Sequence, residues 1–111
     1  MDRRCIFVED KQSGRQLAAA VADEGVQLFE GAWYFDRTAV DFSHLVITQK
    51  TYVCPYKGTC YWIDLETPDY RAENVAFTYF DVTPGYEFIQ DKIAFYAGTR
   101  EATRQDAQLI A

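Results

Sequence analysis

The stretch from Leu45 to Glu66, LVITQKTYVCPYKGTCYWIDLE, constrains the fold more than any other. Two runs rich in β-branched and aromatic residues meet at a proline and a glycine. Pro55 fixes its own φ, lacks a donor and pushes Cys54 into extended geometry, while Gly58 can take the positive φ that closes a tight loop. The pattern predicts a hairpin turning over Pro55, Tyr56, Lys57 and Gly58. A four-residue loop would set Cys54 opposite Thr59 and Val53 opposite Cys60, so that the two thiols leave opposite faces of the sheet. A one-residue bulge would instead bring Cys54 across from Cys60, within reach of a disulfide.

The rest of the chain reads the same way. Short extended runs are expected near Cys5 to Glu9, Gln16 to Ala22, Val26 to Phe29, and in GAWYF after Gly31. Asp36 is a candidate N-cap for one brief helical turn, and NVAFTYF and KIAFY are two further strand candidates separated by DVTPGYEFIQD. The 16% aromatic content suits strands better than a helix bundle. A chain of 111 residues is long enough for one core without disulfides or metal. The expectation is a single mainly β domain over residues 1–99. The tail over residues 100–111 has few large apolar residues and is expected to be flexible or loosely helical.

Charge narrows the function classes. With 17 acidic and 11 basic side chains, the net charge of -6 repels a phosphate backbone, and no basic stripe offsets it; nucleic acid is not an expected partner. The N-terminal MDRRCIFVEDK carries charges where a secretory signal needs an apolar core, and the cysteine count is odd, which points to a reducing cytoplasm. No apolar run approaches the roughly 18 residues that would span a bilayer, so no membrane association is expected.

Cys5, Cys54 and Cys60 offer the chemistry. Zinc takes about four ligands, usually from Cys-x-x-Cys pairs or Cys/His sets. The Cys54-x5-Cys60 spacing and the lone His44 do not supply them, so neither metal nor other cofactor is expected, and His44 reads as a surface or loop residue. Cys54 and Lys57 are the candidate catalytic pair, because a lysine folded back by the loop would favour the thiolate. The plain alternative is a small apolar side chain at a strand end.

The motifs WYF, VCPYKG followed by YW, ENVAFTYF and IAFYAG resemble a bacterial family, domain of unknown function 427, from about Val26 to Gly98. Its most specific element maps onto Cys54, Pro55, Tyr56, Lys57 and Gly58. The first motif maps onto Tyr34, and the Asn-x-Ala-aromatic-x-Tyr run maps onto Asn74, Ala76, Phe77 and Tyr79. The resemblance implies a β-tent, two antiparallel sheets meeting at an angle, as in methionine-R-sulfoxide reductases and the ligand-binding domain of cereblon. Several such relatives hold zinc through two Cys-x-x-Cys pairs, which this chain lacks, so a metal-free tent is implied. Asp36 replaces a common proline and Phe77 a common tryptophan. The family sometimes carries a nucleotidyltransferase label, yet neither a glycine-rich phosphate cradle nor a spaced acidic pair for Mg²⁺ is present in the sequence.

Alternation also divides the rings between faces. Tyr61, Ile63 and Leu65 share one side of TCYWIDLE, whereas Cys60, Trp62, Asp64 and Glu66 share the other. Phe77 and Tyr79 share a face of their own strand. The resulting expectation is a cleft bordered by Tyr34, Lys57, Trp62, Asn74 and Tyr79, with Asn74 orienting a small molecule or modified side chain. Rings that merely pack two sheets together are the competing structural reading. An enzyme using Cys54 with Lys57 in redox or acyl chemistry, and a homo-oligomer joined through edge strands, are the readings from other function classes.

Overall fold

The computed structural model describes residues 3–96 and 102–110. Among these residues nine strands follow in chain order: β1 (Arg4–Asp10), β2 (Gln16–Ala22), β3 (Gly25–Phe29), β4 (Ala32–Phe35), β5 (Leu45–Cys54), β6 (Gly58–Glu66), β7 (Arg71–Val82), β8 (Ile93–Phe95) and β9 (Thr103–Leu109). Among the described residues, the helical content is two 3-10 turns, Arg37–Ala39 and Glu87–Ile89. Asp36 stands at the N-cap of the first, but its side chain makes no capping bond.

Two separate antiparallel sheets were expected, and the strands instead form one sheet in the order β5-β6-β7-β8-β4-β3-β2-β1-β9. The sheet is mixed, because β2 and β3 pair in parallel through Val21↔Gly25 and Ala22↔Val26. The join is made by β8. This three-residue strand pairs with β7 through Ala76↔Phe95 to Thr78↔Ile93, and with β4 through Tyr34↔Ala94 and Phe35↔Ile93. Without it, β5–β7 and the remaining strands would be two sheets.

The joined sheet buries its two faces unequally. The main core gathers Ile6, Val8, Leu17, Phe35, Ile63, Leu65, Ile93 and Phe95 from both halves. Each such side chain contributes about 1.5–3 kcal/mol by leaving water, and Phe35 and Phe95 meet edge to face at 6.0 Å. Alternation sends their neighbours to the other side. Tyr34, Cys60, Tyr79, Ile89 and Ala94 form a smaller cluster there, bordered by Phe29, Cys54, Trp62, Phe77 and Tyr86.

The C-terminal segment differs from the expectation of a flexible or loosely helical tail. Thr103–Leu109 is an edge strand, paired along its length with β1 from Arg4↔Leu109 to Asp10↔Thr103. Thr103 and Gln105 turn inward and are buried, while Arg104 reaches Glu9 at 2.9 Å. Backbone bonds and polar pairing hold this strand, so it needs little apolar content. The expected boundary between residues 99 and 100 falls within 97–101, outside the described residues, as does residue 111 at the end of the tail. Among the described residues, no helix is long and apolar enough to cross a membrane.

Candidate functional site

The hairpin forms, but one residue tighter than the pattern suggested. Its rungs are Cys54↔Gly58, Val53↔Thr59 and Tyr52↔Cys60, leaving Pro55, Tyr56 and Lys57 as the loop. Gly58 belongs to β6 rather than to the turn. Its φ is +125°, and a Cβ there would collide with the Asp81 carbonyl oxygen and lie 3.0 Å from the Val82 Cα, because β7 packs directly against it. Gly58 is therefore needed twice, for its dihedral and for its missing side chain. Thr83, just after β7, braces the loop: its backbone N–H donates to the Lys57 carbonyl at 3.0 Å, and its hydroxyl donates to the Tyr56 carbonyl.

This register corrects the expectation for the thiols. Cys60 faces Tyr52, two positions from Cys54 along β5, so both sulfurs leave the same face and join the same cluster. Both are free thiols, Cys54 partly exposed and Cys60 buried. Desolvation is the largest single influence on Cys54 and pushes its pKa up. The backbone N–H groups of Lys57 and Tyr56 aimed at the sulfur, together with the Lys57 charge, outweigh it, so the thiol is more acidic than usual. Cys60 moves the other way, mainly through burial and then through its proximity to Cys54, against the opposing pull of the Tyr52 N–H.

Lys57 folds back over the aromatic face. Its ammonium lies 5.9 Å from the Phe29 ring centre and 5.8 Å from that of Tyr79, and only 17% of its side chain is exposed. Glu30 pairs with it at 3.4 Å. That carboxylate is delivered by the two-residue turn between β3 and β4, where Glu30 and Gly31 both have positive φ, as such tight hairpins require.

Around the lysine the rings meet largely edge to face. Tyr34 contacts Phe77 at 6.1 Å, Phe77 contacts Trp62 at 5.9 Å and Tyr79 at 6.1 Å. Burial pushes the Tyr34 hydroxyl up to about 12, with the charges of Glu30, Cys60 and Cys54 adding to it. Tyr79 is raised further by burial and by the nearby Cys60. Both phenols therefore remain protonated donors at neutral pH.

Of the residues singled out from sequence, Tyr34, Lys57, Trp62, Tyr79 and Cys54 come together on this face. Asn74 lines a different space, an open cleft of about 880 Å³ that also touches Lys11, Arg71, Tyr96 and Thr103. Its backbone explains the separation. Asn74 has φ +56° at an irregularity of the β6–β7 ladder, and its N–H donates to Asp64 at 3.0 Å. Asp64 is fully buried and also receives Lys50 at 3.1 Å and Arg71 at 2.9 Å. Burial alone would raise its pKa, but the Asn74 N–H, Lys50 and Arg71 together lower it. Tyr96, stacked on Trp62 at 6.2 Å and 16°, links the cleft to the aromatic face.

Several participants have no signal in the motifs. Glu30, Thr83, Tyr86 and Phe88 come from turns and from the connector DVTPGYEFIQD. Phe88 packs on Phe29 at 4.8 Å. Cys60 lies on the Trp62 side as alternation predicts, and it is Cys54 that the tighter loop brings onto the same face. His44 is half-buried, with Nδ1 3.2 Å from the Glu66 carbonyl. Among the described residues, no group of three or more His, Cys, Asp or Glu side chains is arranged to hold a metal ion.

A mainly β domain built around a braced Cys-Pro-Tyr-Lys-Gly turn defines the class of protein. The family model described as Domain of unknown function (DUF427) matches residues 13–106, and the chain belongs to that family. The match takes in β2 through β8 and most of β9. No curated protein matches the chain.

Proposed function

We propose that the protein is a non-catalytic binding module that takes a small planar molecule bearing an anionic group on the face formed by Tyr34, Lys57, Trp62, Phe77 and Tyr79. The observation that carries this reading is the position of Lys57. A mostly desolvated ammonium laid over two rings, with a single carboxylate at 3.4 Å, keeps donor capacity for an incoming anion. The partly exposed Trp62 and Phe77 supply planar contact area, while the buried Tyr34 and Tyr79 phenols stay neutral beside them. A hollow of about 290 Å³ reaches Tyr34 from the side of Asp36, Phe88 and Lys92. Asn74 lies outside this site, in the separate cleft that Tyr96 also lines.

Thermal shift against a panel of planar carboxylates and phosphates tests the reading. A ligand of this class raises Tm, Lys57→Met removes the shift, and Glu30→Gln enlarges it by releasing the lysine. Shifts unchanged in Lys57→Met would place binding elsewhere, and a panel without any shift would remove the reading.

One observation favours a second reading, a homo-oligomer joined through β5. This strand is an edge of the sheet, and it exposes Val46, Tyr52 and Val53, with Tyr56 beyond it. Light scattering decides this: a strict monomer at high concentration removes it. Nucleotidyl transfer, the label attached to the family resemblance, finds no acidic cluster for Mg²⁺ among the described residues.

A further inference from the structure

We propose that Cys54 and Cys60 are a working thiol pair, in which Cys54 is oxidised by a hydroperoxide and Cys60 resolves the product into a reversible intramolecular disulfide. This goes beyond the ligand-binding reading and does not depend on it.

The pair is placed by register rather than by sequence spacing. Cys54 opposes Gly58 and Cys60 opposes Tyr52, so the two sulfurs occupy diagonal positions on one face of neighbouring antiparallel strands, within one side-chain cluster. Their surroundings suit different tasks. Cys54 is partly open to solvent at the mouth of the turn, with the N–H groups of Tyr56 and Lys57 directed at it and the Lys57 charge favouring its thiolate. Cys60 is only 2% exposed, shielded from an external oxidant, and its sulfur accepts from the Tyr79 hydroxyl when it ionises. Cys5 lies on β1, in the other half of the sheet, and serves as an internal control.

The chemistry balances as two steps. The Cys54 thiolate attacks a peroxide oxygen; an S–O bond forms, the O–O bond breaks, and the alkoxide or hydroxide leaves and takes a proton from water. Sulfur has lost two electrons and the peroxide has gained them. Cys60 then attacks the sulfenic sulfur; the S–S bond forms, the S–O bond breaks, and the departing hydroxide leaves as water with the Cys60 proton. A small dithiol reverses the change by exchange and is itself oxidised.

Diagonal positions also set the character of the bond. Their Cα atoms are roughly 7–8 Å apart in an ordinary ladder, slightly beyond the ~4.4–6.8 Å of a relaxed disulfide. Closure must draw Cys54 inward, and Cys54 is the last residue of β5, next to a proline that makes no ladder bond. The bond is therefore strained and easily reduced, which is the profile of a switching disulfide rather than a structural one.

The test uses the full chain, hydrogen peroxide and an alkylating quench, followed by intact mass and tryptic mapping. Cleavage after Lys57 separates TYVCPYK from GTCYWIDLETPDYR, so the internal bond appears as these two peptides joined. The expected result is loss of two of the three thiols, a mass lower by two hydrogens, full recovery with dithiothreitol, and Cys54 reacting at least tenfold faster than Cys5. Cys60→Ala should stop at a Cys54 sulfenic acid that a cyclic 1,3-dione traps, and Cys5→Ser should behave as the parent. Cys54 reacting no faster than Cys5, or oxidation ending only in linkages between chains or through Cys5, would overturn the proposal whether or not the variants fold.

Discussion

Replacing Gly58 with alanine tests whether the turn geometry organises the site. At φ +125° an L residue carries about 1–3 kcal/mol of backbone strain. The new Cβ also meets the Asp81 carbonyl, which is backbone and cannot swing away, so β6 and β7 must part locally. Losing the Gly58↔Val82 rung and one Thr83 bond to the loop removes about 0.5–1.5 kcal/mol each. The sum is about 2–6 kcal/mol, a large share of the ~5–15 kcal/mol typical of a whole domain. Gly14→Ala is the control: its φ is +75°, but nothing lies within 4 Å of the added atom, so it should cost only ~1–2 kcal/mol. Urea unfolding followed by tryptophan fluorescence measures both. Equal costs for the two variants would refute the claim that β7 packs against Gly58.

Other consequences are open to measurement. Asp64→Ala removes a buried carboxylate shared by Lys50, Arg71 and the Asn74 N–H, leaves that N–H without its acceptor, and should cost about 1–3 kcal/mol at pH 7. Because the folded pKa of Asp64 is depressed, its contribution is complete above the unfolded carboxylate range near 4 and fades as pH falls through the folded value; parent and variant curves should converge in acid. Tyr34 and Tyr70 are raised to about 12, so the folded protein holds their protons longer than the unfolded chain does. That stability is intact below about pH 10 and is lost as pH climbs through the folded values, and an ultraviolet phenolate titration should show a late-ionising fraction that vanishes in urea. Deleting residues 103–111 should lower stability by several kcal/mol, since β1 loses a full-length neighbour; unchanged urea midpoints would return this segment to the status of a tail.

Much of the fold is legible because apolar alternation and turn residues agree. β2 runs over Gln16–Ala22, the span its flanking turn signals mark, and Tyr34 and Phe35 go to opposite faces as their parity requires. Three features escape for identifiable reasons. The loop length depends on β7 approaching Gly58, a contact between residues far apart in sequence. The β9 strand is held by backbone pairing and buried Thr103 and Gln105, which carry no apolar signature. Asn74 is drawn out of the ring-lined face by Asp64, ten residues earlier, and nothing in the Asn-x-Ala motif announces that partner. Lys57 is readable as a residue that can fold back, whereas its Glu30 partner and its Phe29 platform depend on the β3–β4 hairpin.

The most direct measurement of the central claim, that the turn holds Lys57 and two N–H groups against Cys54, is the native alkylation rate of Cys54 as a function of pH. Its midpoint should lie below the roughly 8.5 of a free thiol and rise in Lys57→Met, while the unfolded chain reverts to the free value. A native Cys54 that titrates at or above the unfolded midpoint, unmoved by Lys57→Met, would contradict that arrangement.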